Sequence, residues 1–510
     1  MLTIRKRRKR TKPRILIVTP EITYLPQGMG NMANRMNAKA GGLADVSSSL
    51  VAALYDLGAD VHVALPHYRR MFNIDAANLI SDEIRAYMSK LSRARIHLAE
   101  DRCFYYRDAV YGNDEWTNIN VALAFQREVI NNIIPSVDPD LIHCNDWMTG
   151  LIPAVARRWN IPALFTVHNI HTYTLTLQRI EDAGIDAANF WKYLYYQFPP
   201  HDYESSRASN PIDLLASGIF GSHYINTVSP TFLQEIADGQ HSFVPSNIRH
   251  EITQKRSHDC AAGILNAPDP SNNPATDTSL ALPYTPGTHV IGRAANKAAF
   301  QEKTGLQLNP DAPILFWPSR LDPIQKGCQL FADILYKVID RYWADGLQVA
   351  IVANGAYQDV FHRIVRQHDF HRRVAVCNFA EPLSRLGYAG SDFMLIPSLF
   401  EPCGLPQMVS SIYGSLPIAR DTGGLHDTVT HLDVAQNTGN GFIFETYDSN
   451  GLLWAIDQAM AFYRLPSTVK QTQIARIMEE SINRFSHAVT AKQYFNIYEK
   501  MLARPLVQDF

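Results

Sequence analysis

An arginine and a lysine stand six residues apart in the segment from Ser319 to Gly327, directly after a run of apolar residues. Arg320 and Lys326 on one loop could both reach a diphosphate and neutralise the charge on a departing group. The same spacing also fits an exposed ion pair of little energetic weight. The position just after a predicted strand favours the phosphate-binding interpretation.

Two pairs of glycines add backbone amides to the candidate site. Gly41 and Gly42 follow Lys39, and Gly423 and Gly424 follow a short apolar run. Glycine lets the backbone approach a ligand closely, and amides at the start of a helix bind anions, although a tight turn without a ligand is the alternative. Neither pair belongs to a three-glycine dinucleotide fingerprint or a Gly-Lys-Ser/Thr phosphate loop. A standard dehydrogenase and a P-loop enzyme are therefore not supported.

Carboxylates and an imidazole follow three further apolar runs, with Asp146, His168 and Glu401 as the candidates. Side chains at the carboxyl ends of parallel strands point into a ligand-binding crevice, where the carboxylate of Glu401 could hold sugar hydroxyls. The alternatives are a structural histidine at position 168 and a helix start at Glu401-Pro402. No spacing such as His-x-x-x-His is present, so we predict no metal site.

The elements that must position these residues alternate between short β-branched runs and stretches with helical spacing. This alternation predicts an α/β fold with two Rossmann-like, doubly wound domains that face each other across a cleft. The ligand should then lie at the carboxyl ends of the strands. Strands are predicted at 14–20, 61–66, 140–145, 163–169 and 224–229, and again at 314–319, 347–353, 374–379, 393–397 and 417–419.

Changes in composition along the chain predict four segments. Residues 1–12 form a basic tail, and residues 13–287 form an N-terminal domain that ends in a proline-rich loop starting at position 267. Residues 288–485 form a C-terminal nucleotide-sugar-binding domain. Residues 486–510 contain a helix with apolar side chains at helical spacing, which we expect to pack back on the body of the protein.

Composition excludes several classes of protein. Hydrophobic residues make up 46% of the chain and charged residues 19%, which excludes a disordered chain. No apolar stretch approaches the roughly 18 residues of a membrane helix. Beyond the basic tail, 40 basic side chains face 49 acidic ones, which argues against a general nucleic-acid binder. Six scattered cysteines argue against a disulfide framework, and no secretion signal follows the tail, so we expect a cytoplasmic protein without membrane or nucleic-acid partners.

Eight motifs in this order resemble the bacterial glycogen synthase and plant starch synthase family, which comprises retaining glucosyltransferases of the GT-B type with two Rossmann-like domains. The resemblance runs from about residue 14 to residue 502. The motifs are Lys-Ala-Gly-Gly-Leu-Ala-Asp-Val at 39–46, Asn-Asp-Trp at 145–147, Val-His-Asn at 167–169, Thr-Val-Ser-Pro at 227–230, Ile-Leu-Asn at 264–266, Ser-Arg-Leu with Gln-Lys-Gly at 319–327, Phe-Glu-Pro-Cys-Gly-Leu at 400–405 and Thr-Gly-Gly-Leu-His-Asp-Thr-Val at 422–429.

The resemblance implies transfer of glucose from ADP-glucose to the non-reducing end of an α-1,4-glucan, with retention of configuration and without a cofactor. It implies that Lys39 and the Gly42 amide, next to Gly41, hold the donor phosphates, and that Arg320 and Lys326 stabilise the leaving diphosphate. The other implied binding residues surround the donor: Glu401, Cys403 and Gly404 at the glucose, Asp146, His168 and Asn266 around it, Phe379 where the family often has a tyrosine stacked on the base, and Gly423 and Gly424 along the cleft.

Some positions depart from the family pattern and leave the donor open. Pro406 replaces a threonine near the phosphates, Leu399 replaces an arginine, and the segment 28–34 is longer than usual. One alternative is the same fold using UDP-glucose, as in a sucrose-type synthase, although Val409 stands where related transferases often carry a second glutamate. Another alternative is a catalytically silent glucan-binding paralogue, which would have no need of all the charged site residues.

Overall fold

A computed structural model describes residues 10–30, 32–74 and 95–507 of the 510-residue chain. The predicted basic tail lies outside the described residues up to position 9. Contacts divide the chain into two compact units. The N-terminal unit comprises the residues up to Val228, Leu233–Ile264 and the stretch from His487, and the C-terminal unit comprises Ser229–Phe232 and Leu265–Ser486.

The N-terminal unit is built on a parallel sheet and a small antiparallel ribbon. The strands in chain order are β1 (Arg14–Val18), β2 (Asp60–Pro66), β3 (Ile96–Ala99), β4 (Leu141–Asn145), β5 (Ala163–Val167), β6 (Thr174–Leu175), β7 (Ile212–Asp213), β8 (Tyr224–Thr227) and β9 (Ala261–Gly263). Within the described residues the sheet has the order β3-β2-β1-β4-β5-β8-β9, while β6 pairs with β7. Its central strands β1, β4 and β5 are buried except at Arg14 and consist mostly of apolar residues, as expected of a parallel sheet covered on both faces.

The C-terminal unit repeats this architecture with a second parallel sheet. Its strands are β10 (Ile314–Trp317), β11 (Gln348–Val352), β12 (Val374–Cys377), β13 (Phe393–Ile396), β14 (Leu416–Arg420) and β15 (Phe442–Phe444). Their order, β12-β11-β10-β13-β14-β15, is that of a doubly wound nucleotide-binding domain. The predicted α/β class with two doubly wound parallel sheets is confirmed.

Helices connect the strands in both units. In the N-terminal half they are α1 (Gly42–Asp56), α2 (Arg102–Tyr105), α3 (Glu115–Glu128), α4 (Ile134–Val137), α5 (Ile152–Arg158), α6 (Leu177–Asp182), α7 (Tyr203–Arg207), α8 (Leu214–Gly221), α9 (Pro230–Ala237) and α10 (Ser246–Ser257). In the C-terminal unit they are α11 (His289–Thr304), α12 (Cys328–Arg341), α13 (Gln358–His368), α14 (Glu381–Gly390), α15 (Pro406–Tyr413), α16 (Gly423–Thr428), α17 (Ser449–Tyr463) and α18 (Ser467–Arg484). No helix among the described residues has both the length and the apolar character needed to cross a membrane.

The chain changes unit at Ile264, earlier than the predicted boundary at 287. The proline-rich segment has no regular secondary structure, but it carries apolar anchors, because Leu280 and Tyr284 are buried in a core cluster of the C-terminal unit. The Tyr284 hydroxyl donates to the Tyr413 carbonyl at 2.7 Å, and the Tyr413 hydroxyl donates to Asp277 at 2.6 Å. These contacts make the segment part of the C-terminal unit.

The last helix, α19 (His487–Leu502), belongs to the N-terminal unit. A buried chain of hydrogen bonds joins it to the sheet. The Tyr498 hydroxyl lies 2.7 Å from Nδ1 of His143 on β4, and Nε2 of His143 lies 2.6 Å from Oγ1 of Thr166 on β5. Thr166 donates to Asn226 on β8, whose amide donates to the Tyr494 hydroxyl at 3.0 Å. Polar groups on three neighbouring strands therefore fix the position of the helix.

Candidate functional site

Each sheet reverses its strand order between two neighbouring strands, at β1 and β4 in the first sheet and at β10 and β13 in the second. Ligands of doubly wound folds bind outside the carboxyl ends of the strands at such points. Asp146 directly follows β4, the loop with Arg320 and Lys326 follows β10, and Glu401 lies in the loop after β13. The charged residues selected from the sequence therefore lie at the switch points.

Lys326 and Glu401 form a buried ion pair in the C-terminal unit. Nζ of Lys326 lies 2.5 Å from Oε2 of Glu401, and their side chains are 11% and 9% exposed. The Ser398 hydroxyl donates to the same carboxylate oxygen at 3.1 Å. A lysine ammonium has three donors, so Lys326 can hold Glu401 and still bind a phosphate oxygen. Glu401 does not start a helix, because α15 begins five residues later, at Pro406.

The loops after β10 and β13 are packed directly on each other. The Leu399 amide donates to the Gln325 carbonyl at 2.7 Å. A side chain at Gly327, whose φ is +70°, would lie 2.1 Å from the Pro397 carbonyl oxygen, so only glycine permits this approach. Arg320 lies on the exposed surface of the same loop, and its side chain forms no hydrogen bond or ion pair within the part of the chain that the structure describes. The loop thus presents one paired and one unpaired cation.

The second glycine pair fixes the backbone beside Glu401. The Gly424 amide donates to the Glu401 carbonyl at 2.9 Å, and a Cβ at Gly424 would lie 2.0 Å from the Cys403 carbonyl oxygen. Gly404 has a φ of +70°, and the Gln407 amide group donates to the carbonyls of both Cys403 and Gly404. The first turn of α16, which begins at Gly423, therefore holds the segment from Glu401 to Gly404 in one conformation.

Two further predicted residues of the C-terminal unit differ in their surroundings. Asn266 is buried, and its Oδ1 accepts no hydrogen bond within the described residues. Burial raises the pKa of the neighbouring Cys403 thiol to about 12, and a hydrogen bond with the Asn266 backbone lowers it in part. Phe379 is 51% exposed, and its amide donates to Oδ1 of Asn354 at 2.9 Å. The aromatic ring of Phe379 is therefore accessible to a ligand, whereas Asn266 carries a buried acceptor without a partner among the described residues.

In the N-terminal unit, the buried Glu21 holds the first glycine-rich segment. Its Oε2 accepts hydrogen bonds from the Ala40 and Gly41 amides at 2.8 and 2.9 Å, and its Oε1 accepts one from the Tyr111 hydroxyl at 2.8 Å. The Gly41 amide, which the sequence suggested as a ligand for the donor, is thus bonded to a carboxylate of the protein itself. Glu21 orients the backbone that leads into Gly42 and α1.

Lys39 is half-exposed at the start of this segment. Its Nζ lies 2.8 Å from Oδ2 of Asp45, in the first turn of α1. A carboxylate in the first turn of a helix interacts favourably with the helix dipole. Such exposed pairs are weak, so an anionic ligand could compete for the lysine.

Asp146 and His168 lie together at the ends of β4 and β5. Oδ1 of Asp146 accepts a hydrogen bond from the His168 amide at 2.7 Å, and Oδ2 accepts one from the Asn169 side chain at 3.2 Å. Asp146 has a φ of +55°, a strained value for a residue other than glycine. Burial raises the pKa of the Asp146 carboxyl to about 8. Backbone strain and burial of the Asp146 carboxyl both cost free energy of folding, and such a cost is typical of a functional position.

The neighbouring Asn145 determines which nitrogen of His168 carries the hydrogen. Nδ2 of Asn145 donates to the Val18 carbonyl at 3.1 Å, so its Oδ1 faces His168 and lies 2.9 Å from Nε2. Nε2 of His168 must then be the donor, and Nδ1 is left as an acceptor. Burial lowers the pKa of His168 to about 3, so the ring is neutral at physiological pH.

Sequence reasoning found the charged groups and missed several of their partners. Within the units, the structure brings Lys326 to Glu401 and Asp146 to His168. The missed residues are Glu21, Tyr111 and Asn145. Glu21 follows β1 and could have been found by the rule that located Asp146, whereas Tyr111 lies in a loop without a recognisable pattern. In the part of the chain that the structure describes, no group of three or more His, Cys, Asp or Glu side chains could hold a metal ion.

Comparisons with known proteins cover both units. The starch synthase catalytic domain family matches residues 14–245, and the glycosyl transferases group 1 family matches residues 312–461. Glycogen synthase from Syntrophotalea carbinolica is 32% identical over 492 residues, which cover 91% of this chain and 96% of the relative. Glycogen synthase from Exiguobacterium sibiricum is 33% identical over 491 residues, which cover 90% and 95%. The similarity therefore extends over nearly the whole of both chains.

Solved structures show the same extent of similarity. The catalytic domain of starch synthase IV from Arabidopsis thaliana, bound to ADP and acarbose, is 25% identical, with a TM-score of 0.75. The match covers 97% of this chain and 100% of that one. Sucrose-phosphate synthase from Thermosynechococcus elongatus, at 16% identity and a TM-score of 0.57 over 96% of this chain and 100% of that chain, shares the fold alone.

Proposed function

The chain belongs to the family of bacterial glycogen synthases and plant starch synthases and is a glucosyltransferase, and from this premise we propose that it transfers glucose from ADP-glucose to the 4-hydroxyl at the non-reducing end of an α-1,4-glucan. The configuration at the anomeric carbon is retained. The ADP bound in the related starch synthase structure supports this donor.

The buried Lys326–Glu401 pair beside Arg320 is the observation that carries the proposal. It combines two cations for a diphosphate with a carboxylate for sugar hydroxyls, at the switch point of the C-terminal sheet. Cations placed where negative charge develops on the leaving group lower the barrier to its departure. A domain that only bound glucan would not require this combination.

In the proposed reaction, the bond between the anomeric carbon and the phosphate oxygen breaks while Arg320 and Lys326 take up the charge of the departing diphosphate. The acceptor 4-oxygen attacks the same face of the anomeric carbon, and its proton passes to the departing phosphate oxygen. Glu401 and the amides of Cys403 and Gly404 hold the glucose, with Gly423 and Gly424 supporting that loop. No covalent intermediate with the protein is required, because the leaving group serves as the base.

We assign the remaining residues by resemblance and local geometry. Nδ1 of His168 accepts a hydrogen bond from a donor-sugar hydroxyl, and Asp146 and Asn266 complete the contacts to that sugar. Lys39 and the Gly42 amide bind the phosphates, and the exposed ring of Phe379 stacks on the nucleotide base.

We also propose that the enzyme acts in the cytoplasm. Its six cysteines all lie within the described residues and are free thiols, which suits a reducing compartment. The acidic body of the chain gives no reason to add a nucleic-acid partner.

The test is release of nucleoside diphosphate in the presence of a glucan primer, with ADP-glucose and UDP-glucose compared and chain growth followed in parallel. We expect faster release from ADP-glucose, and a loss of about 10²–10³-fold in kcat for Arg320→Ala. Arg366→Ala removes an exposed arginine from α13 of the same unit and is the matched control. Near-normal turnover by Arg320→Ala would contradict the mechanism, and a preference for UDP-glucose would contradict the donor. Absence of release from both donors would favour the silent glucan-binding alternative.

A further inference from the structure

A cluster of basic groups lies in the N-terminal unit at the amino ends of β5 and β8, on the edge of the sheet opposite the candidate site. Nζ of Lys255, on α10, lies 2.5 Å from the carbonyl oxygen of Ser222 and 3.5 Å from that of Phe220. Nη2 of Arg157, on α5, donates to the same Ser222 oxygen at 3.3 Å. An ammonium and a guanidinium group therefore share one acceptor.

His223 adds a third donor to this cluster. The Ala163 amide donates to Nδ1 of His223 at 3.1 Å, so Nε2 of the ring carries the hydrogen. Within the described residues, this Nε2–H group has no acceptor. Partial burial and the neighbouring charges of Arg157 and Lys255 lower the pKa of His223 to about 4, so the ring is neutral at physiological pH.

No carboxylate forms an ion pair with Lys255 in the part of the chain that the structure describes. Glu251 lies one turn earlier on α10, yet it makes no such contact with the lysine. Burial and the adjacent Arg157 lower the pKa of Lys255 to about 8, whereas Cys260 and Glu251 raise it in part. The surroundings of Lys255 thus favour the neutral amine.

A neutral amine on a lysine side chain is a nucleophile. Near pH 7.5, about a quarter of amines with this pKa are neutral, against about one in a thousand for an ordinary lysine. Enzymes activate nucleophilic lysines in the same way, by desolvation or by an adjacent cation. The Arg157 guanidinium and the Nε2–H of His223 are donors that an anionic reagent could bind, because arginine matches the geometry of phosphate oxygens.

We propose that Lys255 is a site of acylation by acyl phosphates, with Arg157 and His223 binding the phosphate group. The neutral amine adds to the acyl carbon, the bond between this carbon and the phosphate oxygen breaks, and inorganic phosphate leaves with one proton of the amine. The product is an uncharged amide that keeps one N–H for the Ser222 carbonyl. Acylation therefore removes one positive charge from the cluster and leaves its hydrogen bond in place. The modification does not depend on the transfer of glucose.

The experiment treats the full chain with acetyl phosphate and follows acetylation of each lysine over time by mass spectrometry of its peptides. Lys470 is the matched internal control, because its Nζ also donates to a main-chain carbonyl, that of Tyr463 at 2.7 Å, which no arginine shares among the described residues. Lys500, paired with Asp259 at 2.7 Å, represents an ordinary exposed lysine. We expect acetylation of Lys255 to be about tenfold faster than that of either control.

Variants of the two neighbouring arginines on α5 test how the reagent is bound. Arg158 is exposed and forms no hydrogen bond within the described residues, so Arg158→Gln is the matched control for Arg157→Gln. We expect Arg157→Gln to slow acetylation of Lys255 by acetyl phosphate about tenfold and Arg158→Gln to leave it unchanged. With p-nitrophenyl acetate, a neutral ester, Arg157→Gln should have a smaller effect. His223→Ala, which keeps both cations, should slow only the reaction with acetyl phosphate.

Urea midpoints show whether each variant is folded, and the comparison among the lysines of the wild type needs no variant. The proposal is overturned if Lys255 is acetylated no faster than Lys470 and Lys500, because the cations then only stabilise the carboxyl end of α8. It is also overturned if Arg157→Gln slows the reactions with acetyl phosphate and with p-nitrophenyl acetate equally, since the arginine would then hold no phosphate.

Discussion

Replacing Lys326 with methionine removes one half of the buried ion pair and leaves Glu401 with only the Ser398 hydroxyl as a side-chain partner in the described part of the chain. Breaking a buried pair from one side costs about 3–5 kcal/mol, because the remaining charge is uncompensated. We therefore expect the urea midpoint of the C-terminal unit to fall markedly. We also expect kcat to fall about 10²–10³-fold, because the leaving diphosphate loses a cation.

The double variant Lys326→Met/Glu401→Gln separates these two effects. Replacing both charged groups by neutral ones of similar size is often close to neutral for stability. The double variant should recover most of the lost urea midpoint, since no unpaired charge remains. It should not recover kcat, because the cation needed by the leaving group is still absent.

The assays are urea unfolding followed by fluorescence and release of nucleoside diphosphate per folded molecule. Lys297→Met is the matched control, because Lys297 forms a comparable buried pair with Asp392 at 2.7 Å. Asp392 directly precedes β13 and so lies at the edge of the sheet opposite the site loops. The Lys297→Met variant should lower the urea midpoint and leave turnover per folded molecule unchanged. Recovery of turnover together with stability in the double variant would refute the catalytic role and leave the pair as a structural support.

Three further predictions follow from the site and the core. Gly424→Ala should lower turnover at least tenfold, because its Cβ would lie 2.0 Å from the Cys403 carbonyl oxygen. Gly287→Ala is the control and should leave turnover unchanged in the same assay, because its Cβ would lie 3.9 Å from the nearest atom. Glu21→Ala should raise the KM for the nucleotide-sugar donor. Glu21→Gln should have a KM close to that of the wild type, because the glutamine side-chain oxygen can still accept a hydrogen bond from the Gly41 amide. Equal defects in the two variants would show that the negative charge itself is needed. Burial lowers the pKa of His143 to about 3, so the unfolded chain binds a proton at this residue below about pH 6.5 that the folded chain does not. His143 should therefore contribute a loss of stability of about 1.4 kcal/mol per pH unit until the pH nears 3. His143→Gln should change the slope of stability against pH by that amount in unfolding experiments between pH 6.5 and 4; an unchanged slope would show that His143 does not contribute.

The central strands could be predicted because burial on both faces demands long apolar, β-branched runs. The edge strands lack that signal. In β3, His97 interrupts a short apolar sequence, and β9 consists only of Ala261, Ala262 and Gly263, which have poor intrinsic β-propensity. These strands exist because a neighbouring strand offers hydrogen bonds, which no local pattern reveals. The chain changes unit earlier than predicted for a related reason. The buried side chains of Leu280 and Tyr284 place the segment in the C-terminal unit, although the residues around them are mostly polar.

The candidate site was predictable where chemistry and strand ends coincide in the sequence. Lys326 and Glu401 are 75 residues apart, yet each follows a recognisable strand. It could therefore be inferred that both lie at the edge of the sheet formed by the carboxyl ends of the strands. The bond between Tyr111 and Glu21 spans 90 residues and begins in a loop, so only the folded chain reveals it. The tautomer of His168 likewise depends on Asn145 and the Val18 carbonyl, which are set by strand register.

The hydrogen bonds that join α19 to β4, β5 and β8 limit the order in which the protein can fold. The whole C-terminal unit, Leu265–Ser486, is synthesised before the helix that completes the N-terminal unit. Domains generally fold as units while the chain emerges from the ribosome. The first sheet must therefore wait, with His143 and Asn226 lacking Tyr498 and Tyr494, until α19 has left the ribosome. The N-terminal unit, whose synthesis begins first, is therefore completed only after the whole C-terminal unit has been synthesised.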